Sequence, residues 1–336
     1  MRGWLKVAMA AFLALATVDA VPAMAETGTL RIAQQYGIGY LPFHILKHNR
    51  LIEKLAAAAG LGALTVSWIS LGGGSAMNEA LLSDSVDLVS GGVAPFITLW
   101  AKTKGNIEVK GVAALDALPI ALVTTNPAVK TVKDFTAKDR IGLPAVGVSI
   151  QAVTLQMAAE QAFGEGHHQA LDPFTVSLKH PDAYAALASG RSEVDAHFGG
   201  PPFQQLELQL PGAHSVVDNY GVLGGPATFN VIWAKAAFRQ ANPKVYGVFL
   251  AALKEAIELI KADPKEATRI YLAEDESKLD EALVLAIITD PNTHFTTQPL
   301  NVTKYSDFMF KTGAIKARPE SWKDLFFADI HGEGGS

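Results

Sequence analysis

The chain contains no cysteine among its 336 residues. Disulfides, thiol chemistry and lipid attachment at a processed cysteine are therefore all excluded. Beyond the amino-terminal region there is also no uninterrupted apolar run of about 18 residues, the length that a helix needs to cross a bilayer. These absences leave a free protein, with neither a lipid anchor nor a permanent membrane span, as the simplest interpretation.

Strong charge is also lacking. Charged residues make up 18% of the chain, and the formal net charge is −5. No basic tract indicates a nucleic-acid partner, and no acidic tail indicates a disordered binding arm. A hydrophobic fraction of 49% lets a chain of this length bury a large core, most simply in about two domains. We expect a monomer that does not bind nucleic acid.

Motifs for catalysis are missing as well. No phosphate-binding loop with a following lysine and serine is present, and Ser149 lacks the second glycine of a nucleophile elbow. His167 and His168, beside Glu165, cannot both face one metal from a helix. The sequence therefore predicts no enzymatic activity, no cofactor and no metal site.

The amino-terminal region has the pattern of a secretory signal. Arg2 and Lys6 precede an apolar run from Val7 to Val18, and Ala23-Met24-Ala25 supplies small residues at the two positions that a signal peptidase reads. The sequence predicts a signal peptide over residues 1–25, cleavage after Ala25 and a periplasmic mature protein.

The most informative stretch is Leu64 to Pro95, which contains two strand-like runs that each end in glycines. The run from Leu64 to Ser70 stops at Gly72, Gly73 and Gly74. Ser75 is predicted to cap a helix from Ala76 to Ser83. Glycine lets a ligand approach the backbone, and a helix start offers unpaired N–H groups, so this loop suits an oxyanion. An ordinary structural turn is the alternative interpretation.

The second run, Val86 to Val89, is predicted to end in a turn at Ser90, Gly91 and Gly92 before another helical segment. A similar junction follows the first predicted strand, Thr29 to Gln34, where Gln35, Tyr36 and Tyr40 are candidate ligand contacts. Tyr36 and Tyr40 offer an aromatic wall with hydroxyl tips, although Tyr40 could equally be a packing residue.

Two further junctions lie in the middle of the chain. After a strand from Arg140 to Leu143, Val148 and Ser149 precede a helix from Ile150 to Phe163, with Gln151 in its first turn. Ser149 is the natural N-cap, and capping alone or capping with ligand contact both remain open. His197 and Phe198 end a predicted strand from Ser192, and His197 is either a cleft donor or a histidine satisfied by neighbouring backbone.

The alternation of strands and helices predicts an α/β fold in which sheets carry helices on their faces. Boundaries near Leu115 to Pro119 and Gly221 to Pro226 divide the mature chain into residues 26–117 with 226–336 and residues 118–225. The tail from Gly332 to Ser336 is predicted to be disordered.

Several motifs in order resemble the periplasmic substrate-binding proteins of ABC importers in the nitrate/sulfonate/taurine group, which is similar to the thiamine-pyrimidine synthesis proteins. The motifs that match the family are Gly39 to Pro42, Glu53-Lys54, Trp68 to Gly74, Glu79-Ala80-Leu81, Asp87, Pro95, Ala101-Lys102, Lys133-Asp134-Phe135, Ile141 to Ser149, Val194-Asp195-Ala196 and Pro202-Phe203.

The resemblance implies a type II periplasmic-binding-protein fold, with two α/β lobes that close by hinge motion on a ligand between them. It also implies delivery of that ligand to a membrane permease and its ATPase subunit. The ligand-binding residues implied in this way are Gln35, Tyr36, Tyr40, Gly73, Gly74, Ser75, Ser90, Gly91, Gly92, Val148, Ser149, Gln151, His197 and Phe198. None of the predicted rims carries an arginine, so backbone N–H groups and hydroxyls would hold an anion.

The leading hypothesis is a solute receptor for import of a small organic anion such as a sulfonate or carboxylate. One alternative is a thiamine-pyrimidine-precursor binding or synthesis protein of the same fold, although the synthesis proteins resemble a cytoplasmic type with a cysteine-rich segment. Another is a ligand-sensing module for a membrane receptor, which sequence does not separate from transport.

Overall fold

A computed structural model describes residues 26–275 and 277–336. The signal peptide predicted for residues 1–25 lies outside this described part. The strands are β1 Thr29–Gln34, β2 Thr65–Ser70, β3 Leu88–Gly92, β4 Val109–Ala114, β5 Asp116–Ala117, β6 Ala121–Thr124, β7 Ile141–Leu143, β8 Thr175–Ser177, β9 Ala196–Gly199, β10 His214–Asp218, β11 Asn230–Lys235 and β12 His294–Phe295.

The α-helices are α1 Leu41–Asn49, α2 Leu51–Ala58, α3 Gly74–Leu82, α4 Val93–Thr103, α5 Ile150–Phe163, α6 His180–Ser189, α7 Phe203–Glu207, α8 Asn219–Leu223, α9 Ala236–Ala241, α10 Pro243–Ala262, α11 Pro264–Glu274, α12 Glu281–Ile288, α13 Val302–Lys311 and α14 Trp322–Leu325. Short 3₁₀ turns lie at Ile38–Tyr40, Val132–Asp134, Asp172–Phe174 and Ala328–Ile330.

The strands form two five-stranded sheets. The first sheet has the order β2-β1-β3-β11-β4, in which β1, β2 and β3 are parallel and β11 is antiparallel to both of its neighbours. The second sheet has the order β10-β6-β9-β7-β8, in which β7, β8 and β9 are parallel. In both sheets the parallel strands lead directly into helices, so the strand-to-helix junctions of each sheet share one edge.

The chain passes between the sheets twice. It leaves the first sheet after β4, and the short strand β5 pairs with β12 before β6 enters the second sheet. It returns after α8, where Thr228 forms an isolated bridge with Ala117. The division of the chain into residues 26–117 with 226–336 and residues 118–225 stays a prediction.

Local sequence explains the helix boundaries. The helix α5 begins at Ile150 because the Ser149 side chain accepts a hydrogen bond from the N–H of Ala152 at 3.2 Å, as predicted. The long helix α10 begins with Pro243, which already has a helical φ, and buries its apolar face. The buried residues of α10 are Val245, Tyr246, Val248, Phe249, Leu250, Ala252, Leu253, Ala256, Ile257 and Ile260.

Two predicted strand-to-helix junctions were wrong in detail. The N-cap of α3 is Gly73, so Ser75 lies inside the first turn and does not cap the helix. Ser90, Gly91 and Gly92 belong to β3 and do not form a turn after it. They pair with β11, whose partner residues lie more than 130 positions away in the sequence. Local propensity therefore gave the wrong end for this strand.

The glycine-rich tail is also different from the prediction of disorder. The N–H of Ser336 donates to the carbonyl of Pro299 at 3.0 Å, and the N–H of Val302 donates to the carbonyl of Ser336 at 2.8 Å. These main-chain bonds fix the tail beside the start of α13.

Within residues 26–275 and 277–336, no helix combines the length and the apolar character that a membrane crossing requires. The same residues contain no group of three or more histidine, aspartate or glutamate side chains arranged to hold a metal ion.

Candidate functional site

A small cavity lies where the strand-to-helix junctions of the two sheets meet. Its lining residues come from both sides and are Gln35, Tyr36, Tyr40, Gly74, Gly92, Pro95, Pro144, Ser149, Ile150, Gln151, His180, Phe229 and Asn230. The space open to the centre of a water molecule is about 10 Å³, which is room for about one water. The structure therefore describes a closed arrangement of this cleft.

Four helices begin at this cavity. Gly74 starts α3, Gly92 caps α4, Ser149 caps α5 and His180 starts α6, and all four residues line the cavity. Helix starts carry positive partial charge and unpaired N–H groups, so their convergence favours a negatively charged or hydrogen-bond-accepting ligand. One amide is already used, since the N–H of Val93 in α4 donates to the carbonyl of Phe229 at 3.1 Å.

Glycines let the two sides of the cleft touch. A Cβ atom on Gly37 would lie 2.6 Å from the carbonyl oxygen of Pro201, and one on Gly92 would lie 2.6 Å from Cγ2 of Ile150. The N–H of Ile38 donates to the carbonyl of Pro201 at 3.0 Å. In this closed arrangement, these glycines provide close approach between the two halves of the cleft.

Tyr40, on the aromatic side of the cavity, is hydrogen-bonded to a buried pair of polar side chains. The hydroxyl of Tyr40 donates to Oδ1 of Asn230 at 3.1 Å, and Asn230 Nδ2 donates to Asp116 Oδ2 at 2.8 Å. Burial raises the pKa of Asp116 to about 8. Tyr40 lines the cavity and is buried, with its hydroxyl satisfied inside the protein, so packing accounts for it and its contact with a ligand stays a prediction.

The first turn of α5 presents two polar side chains. The Ser149 oxygen accepts the capping bond from Ala152, which leaves its O–H free to donate. Gln151 is buried and lines the cavity, and its Nε2 lies 3.3 Å from His180 Nε2.

His197 lies behind His180, one layer away from the cavity. His197 Nε2 is 2.9 Å from His180 Nδ1, and His197 Nδ1 is 2.5 Å from Glu207 Oε1. Burial lowers the pKa of His197 to about 3 and raises the pKa of Glu207 to about 9. Burial first and the charge of His197 second lower the pKa of His180. His197 is satisfied by two side chains, and neighbouring backbone does not take part.

The remaining predicted ligand residues do not line the cavity. Gly73 and Ser75 line an adjoining groove of about 440 Å³, together with Lys179. Phe198 is fully buried in the core, Val148 is half-buried, and Gly91 packs against Gln35 and Trp233. Ser90 is also fully buried, and its hydroxyl finds no hydrogen-bond partner in the described residues.

Sequence reasoning missed four polar or aromatic residues of the site. Asn230 begins β11 and Phe229 directly precedes it. Both lie far along the chain from the junctions that they face, so no local sequence pattern predicts that they line the cavity. Sequence alone predicts a strand from Thr175 to His180 and a helix from Pro181, the helix-start signal, whereas in the structure β8 ends at Ser177 and α6 begins at His180. Lys179 lies across Gly72, where a Cβ would meet its Cε at 2.8 Å, and it supplies a positive charge beside the cavity.

A larger cavity of about 580 Å³ lies elsewhere, between the ends of α10 and α12 and the loop at 293–300. All of its lining residues fall within 226–300, so it does not join the two sheets. The smaller cavity remains the candidate ligand site because both sheets contribute to it.

Comparison with known proteins agrees with this architecture. The sequence model described as "NMT1/THI5 like" matches residues 73–267, more than half of the chain. The chain belongs to the NMT1/THI5-like family. The resemblance to the nitrate/sulfonate/taurine group is thereby confirmed, since the structural neighbours of this NMT1/THI5-like chain are binding proteins of that group. No curated protein matches the chain significantly.

Three solved structures have the same fold. The alkanesulfonate-binding protein SsuA from Xanthomonas axonopodis pv. citri, bound to MOPS, superposes with a TM-score of 0.69 at 21% identity, covering 90% of this chain and 98% of its own. The periplasmic aliphatic sulphonate-binding protein SsuA from Escherichia coli gives 0.64 at 23%, covering 88% and 98%. The periplasmic nitrate-binding protein NrtA from Synechocystis PCC 6803 gives 0.68 at 13%, covering 92% and 86%. The predicted two-lobe periplasmic-binding-protein fold is confirmed.

Proposed function

We propose that this protein is the periplasmic solute-binding component of an ABC importer. It captures a small organic anion of the sulfonate or carboxylate kind between its two lobes and delivers it to a membrane permease with an ATPase subunit. It performs no reaction on the ligand and uses no cofactor. It acts as a monomer after a signal peptide is removed behind Ala25.

The observation that carries the proposal is the meeting of four helix starts, α3, α4, α5 and α6, at one cavity between the sheets. Such starts stabilise negative charge without a neutralising side chain. The residues best placed to add directional hydrogen bonds are Ser149, Gln151 and Tyr36, which line the same cavity.

The closed cleft indicates that the ligand binds before the two halves close. Space for about one water does not admit an organic anion, so the ligand binds to an open form and the two halves then close around it. A hinge at the two crossings between the sheets is compatible with this motion. Lys179, exposed at the adjoining groove, attracts anions to the opening.

The ligands named for the three similar proteins support the proposed ligand class. Two are sulfonate-binding proteins and one is a nitrate-binding protein. All three ligands present oxygens with negative charge, which is the chemistry that converging helix starts favour.

The direct test is a thermal-shift screen of the mature protein with ethanesulfonate, nitrate, short carboxylates and a pyrimidine. A ligand at 100 times its Kd stabilises the folded state by about 2.7 kcal/mol. We expect at least one of the anions to raise the melting temperature. The proposed ligand class is wrong if only the pyrimidine does so, or if none of the compounds has an effect.

A second measurement separates transport from sensing. The loaded protein is added to membranes that contain any permease and ATPase encoded beside its gene. Stimulated ATP hydrolysis and ligand uptake support import, whereas a neighbouring sensor kinase whose activity responds to the loaded protein would favour the sensing alternative.

A further inference from the structure

The amide of Gln151 has one end held by the protein and the other end free. Gln151 lies in the first turn of α5, is 2% exposed and lines the cavity. Its nitrogen Nε2 lies 3.3 Å from Nε2 of His180, the first residue of α6. Its oxygen Oε1 accepts no hydrogen bond from any residue that the structure describes. The oxygen is therefore the end of the amide that is left to face a ligand.

The contacts behind His180 agree with this orientation. An amide nitrogen can only donate, so Nε2 of His180 accepts and carries no hydrogen. The ring hydrogen then lies on Nδ1, which is 2.9 Å from Nε2 of His197 and donates to it. His197 Nδ1 in turn donates to Oε1 of Glu207 at 2.5 Å. This direction holds for either charge of Glu207, because a proton can lie on Oε2, which has no partner in the described residues.

Packing holds both imidazole rings in place. The ring of His180 stacks on Phe203 with centroids 5.7 Å apart. Gly199 leaves room for His197, since a Cβ there would lie 2.9 Å from Cε1 of that ring. The helices α5 and α6 both follow strands of the second sheet, so the contact between Gln151 and His180 does not require a closed cleft.

The free oxygen of Gln151 is an acceptor beside groups that donate. The starts of α3, α4, α5 and α6 offer N–H groups at the cavity, and the O–H of Ser149 is free to donate. An acceptor that stays buried without a partner is unfavourable once the closed cleft excludes water. An ionised sulfonate or carboxylate carries no hydrogen to give. A solute that satisfies the whole cavity therefore needs a separate hydrogen-bond donor besides its anionic group.

The donor that fits is uncharged. None of the described residues that line the cavity is an aspartate or a glutamate. A buried ammonium group would lose its hydration without gaining a carboxylate partner. A hydroxyl group can donate one bond to Oε1 of Gln151 and needs no opposite charge.

We propose that the solute is a small anion that also carries a hydroxyl group, and that Gln151 selects it by accepting a hydrogen bond from that hydroxyl. The anionic group lies at the helix starts, and the hydroxyl lies at Oε1 of Gln151. His180 acts as a positioning residue, because it holds the amide nitrogen and so turns the oxygen toward the solute. This inference rests on the proposed function and narrows its ligand class to hydroxysulfonates and hydroxycarboxylates.

The ligand test compares three sulfonates of equal chain length by calorimetry at pH 7. 2-Hydroxyethanesulfonate is expected to bind at least about tenfold more tightly than ethanesulfonate, which leaves Oε1 of Gln151 without a partner. It should also bind at least about tenfold more tightly than 2-aminoethanesulfonate, whose ammonium meets no carboxylate. Glycolate and acetate repeat the comparison for carboxylates. The inference is overturned if neither hydroxyl compound binds more tightly than its unsubstituted partner, or if the amino compound binds most tightly.

Two variants test whether Gln151 causes the preference. Gln151→Leu and Gln151→Met both remove the oxygen and should bring the affinities for the hydroxyl compound and its unsubstituted partner together. Gln156→Leu is the matched control on the same helix, because Gln156 is also buried but bonds Asp172 and does not line the cavity. The control should keep the preference. A preference that survives in both Gln151 variants would overturn the role of Gln151.

The orientation of the amide can be tested without any ligand. In nitrogen-15 spectra of the histidine rings, assigned with His180→Gln and His197→Gln variants, both rings are expected as the Nδ1–H tautomer at pH 7. A hydrogen on Nε2 of His180 would mean that the amide oxygen of Gln151 faces the ring, which refutes this inference and leaves the proposed function standing. A failure of every anion to bind refutes the proposed function itself, whatever the tautomer of His180.

Discussion

Gly92 and Ile150 face each other across the closed cleft, and a Cβ atom on Gly92 would lie 2.6 Å from Cγ2 of Ile150. Gly92 has φ −59° and ψ 151°, a polyproline-II-like conformation that any residue adopts, so a larger side chain there does not strain its own backbone. The contact joins β3 of the first sheet to the first turn of α5. The closed arrangement therefore depends on the absence of a side chain at this position.

Gly92→Ala is expected to disfavour closure. Overpacking costs about 1–3 kcal/mol, and the cost applies only when the two halves meet. We expect a larger radius of gyration by small-angle X-ray scattering and a loss of affinity for ethanesulfonate of about tenfold or more. Gly247→Ala is the control, because Gly247 is exposed on α10 with no heavy atom within 4 Å of an added Cβ. Unchanged scattering and affinity in Gly92→Ala would contradict this account.

Ser149→Ala separates capping from ligand contact. Loss of the bond from the N–H of Ala152 is expected to cost about 1 kcal/mol of stability, measured by urea denaturation. If the free O–H also donates to the ligand, affinity falls by about another 1 kcal/mol. Asp263→Ala removes the equivalent cap of α11, far from the cavity, and should lower stability alone. Equal effects on affinity in the two variants would remove Ser149 from the ligand site.

Asp87→Ala is expected to loosen the first sheet. The Asp87 carboxylate receives hydrogen bonds from the N–H and the Nε of Arg31 at 2.8 and 3.1 Å, and its other oxygen lies 2.6 Å from Arg31 Nη2. The loss of these charge-assisted bonds between β1 and the start of β3 should cost about 2–3 kcal/mol in urea denaturation.

Glu258→Ala is the matched control for Asp87→Ala. It breaks an exposed pair with Lys261 on α10 and should cost less than about 1 kcal/mol. A similar cost for both variants would show that the Arg31–Asp87 pair is not a special anchor of the sheet.

Stability is expected to fall as pH rises from 7 to 8. The pKa of Asp116 is raised from 3.8 to about 8, so between those values the folded state binds a proton that the unfolded state has released. Each such group lowers the free energy of unfolding by up to about 1.4 kcal/mol per pH unit. Glu207, with its pKa near 9, acts in the same direction. The lowered pKa values of His44 and His197 act oppositely, but only below about 6.5.

Asp116→Asn keeps the shape of the side chain and removes its titration. Urea denaturation between pH 7 and pH 8 should show a shallower decline for the variant than for the wild type. A decline of the same steepness in both proteins would assign the pH dependence to other groups.

Elements governed by local chemistry were predicted well. The bounds of β1 and α5 agree with the prediction to the residue. In α5 the Ser149 cap starts the helix and Gly164, with φ 100°, ends it, so both signals lie within one stretch of chain. Parallel strands bring their carboxyl ends to the same edge of one sheet, so the junctions within each sheet could be grouped from the sequence. The meeting of the junctions of the two sheets was implied only by the family resemblance.

The predictions that were wrong or missing concern residues whose partners are distant in the sequence. Ser90 to Gly92 read as a turn because glycine and serine favour turns, yet pairing with β11 extends β3 through them. Asn230 contacts Tyr40 across 190 positions of the sequence, and the polar contacts that lead from Gln151 through two histidines to Glu207 join four separate elements. The hydrophobic periodicity of the sequence does not predict such contacts, since they form only when the two sheets assemble.

The bond from Ile38 N–H to the carbonyl of Pro201 uses main-chain atoms alone. Exchange of either side chain for another leaves donor and acceptor in place, unless a proline replaces Ile38. This hydrogen bond between the two halves therefore does not depend on which side chains line the cavity. Descendants of this chain can change the solute that they bind and still close the cleft through the same bond.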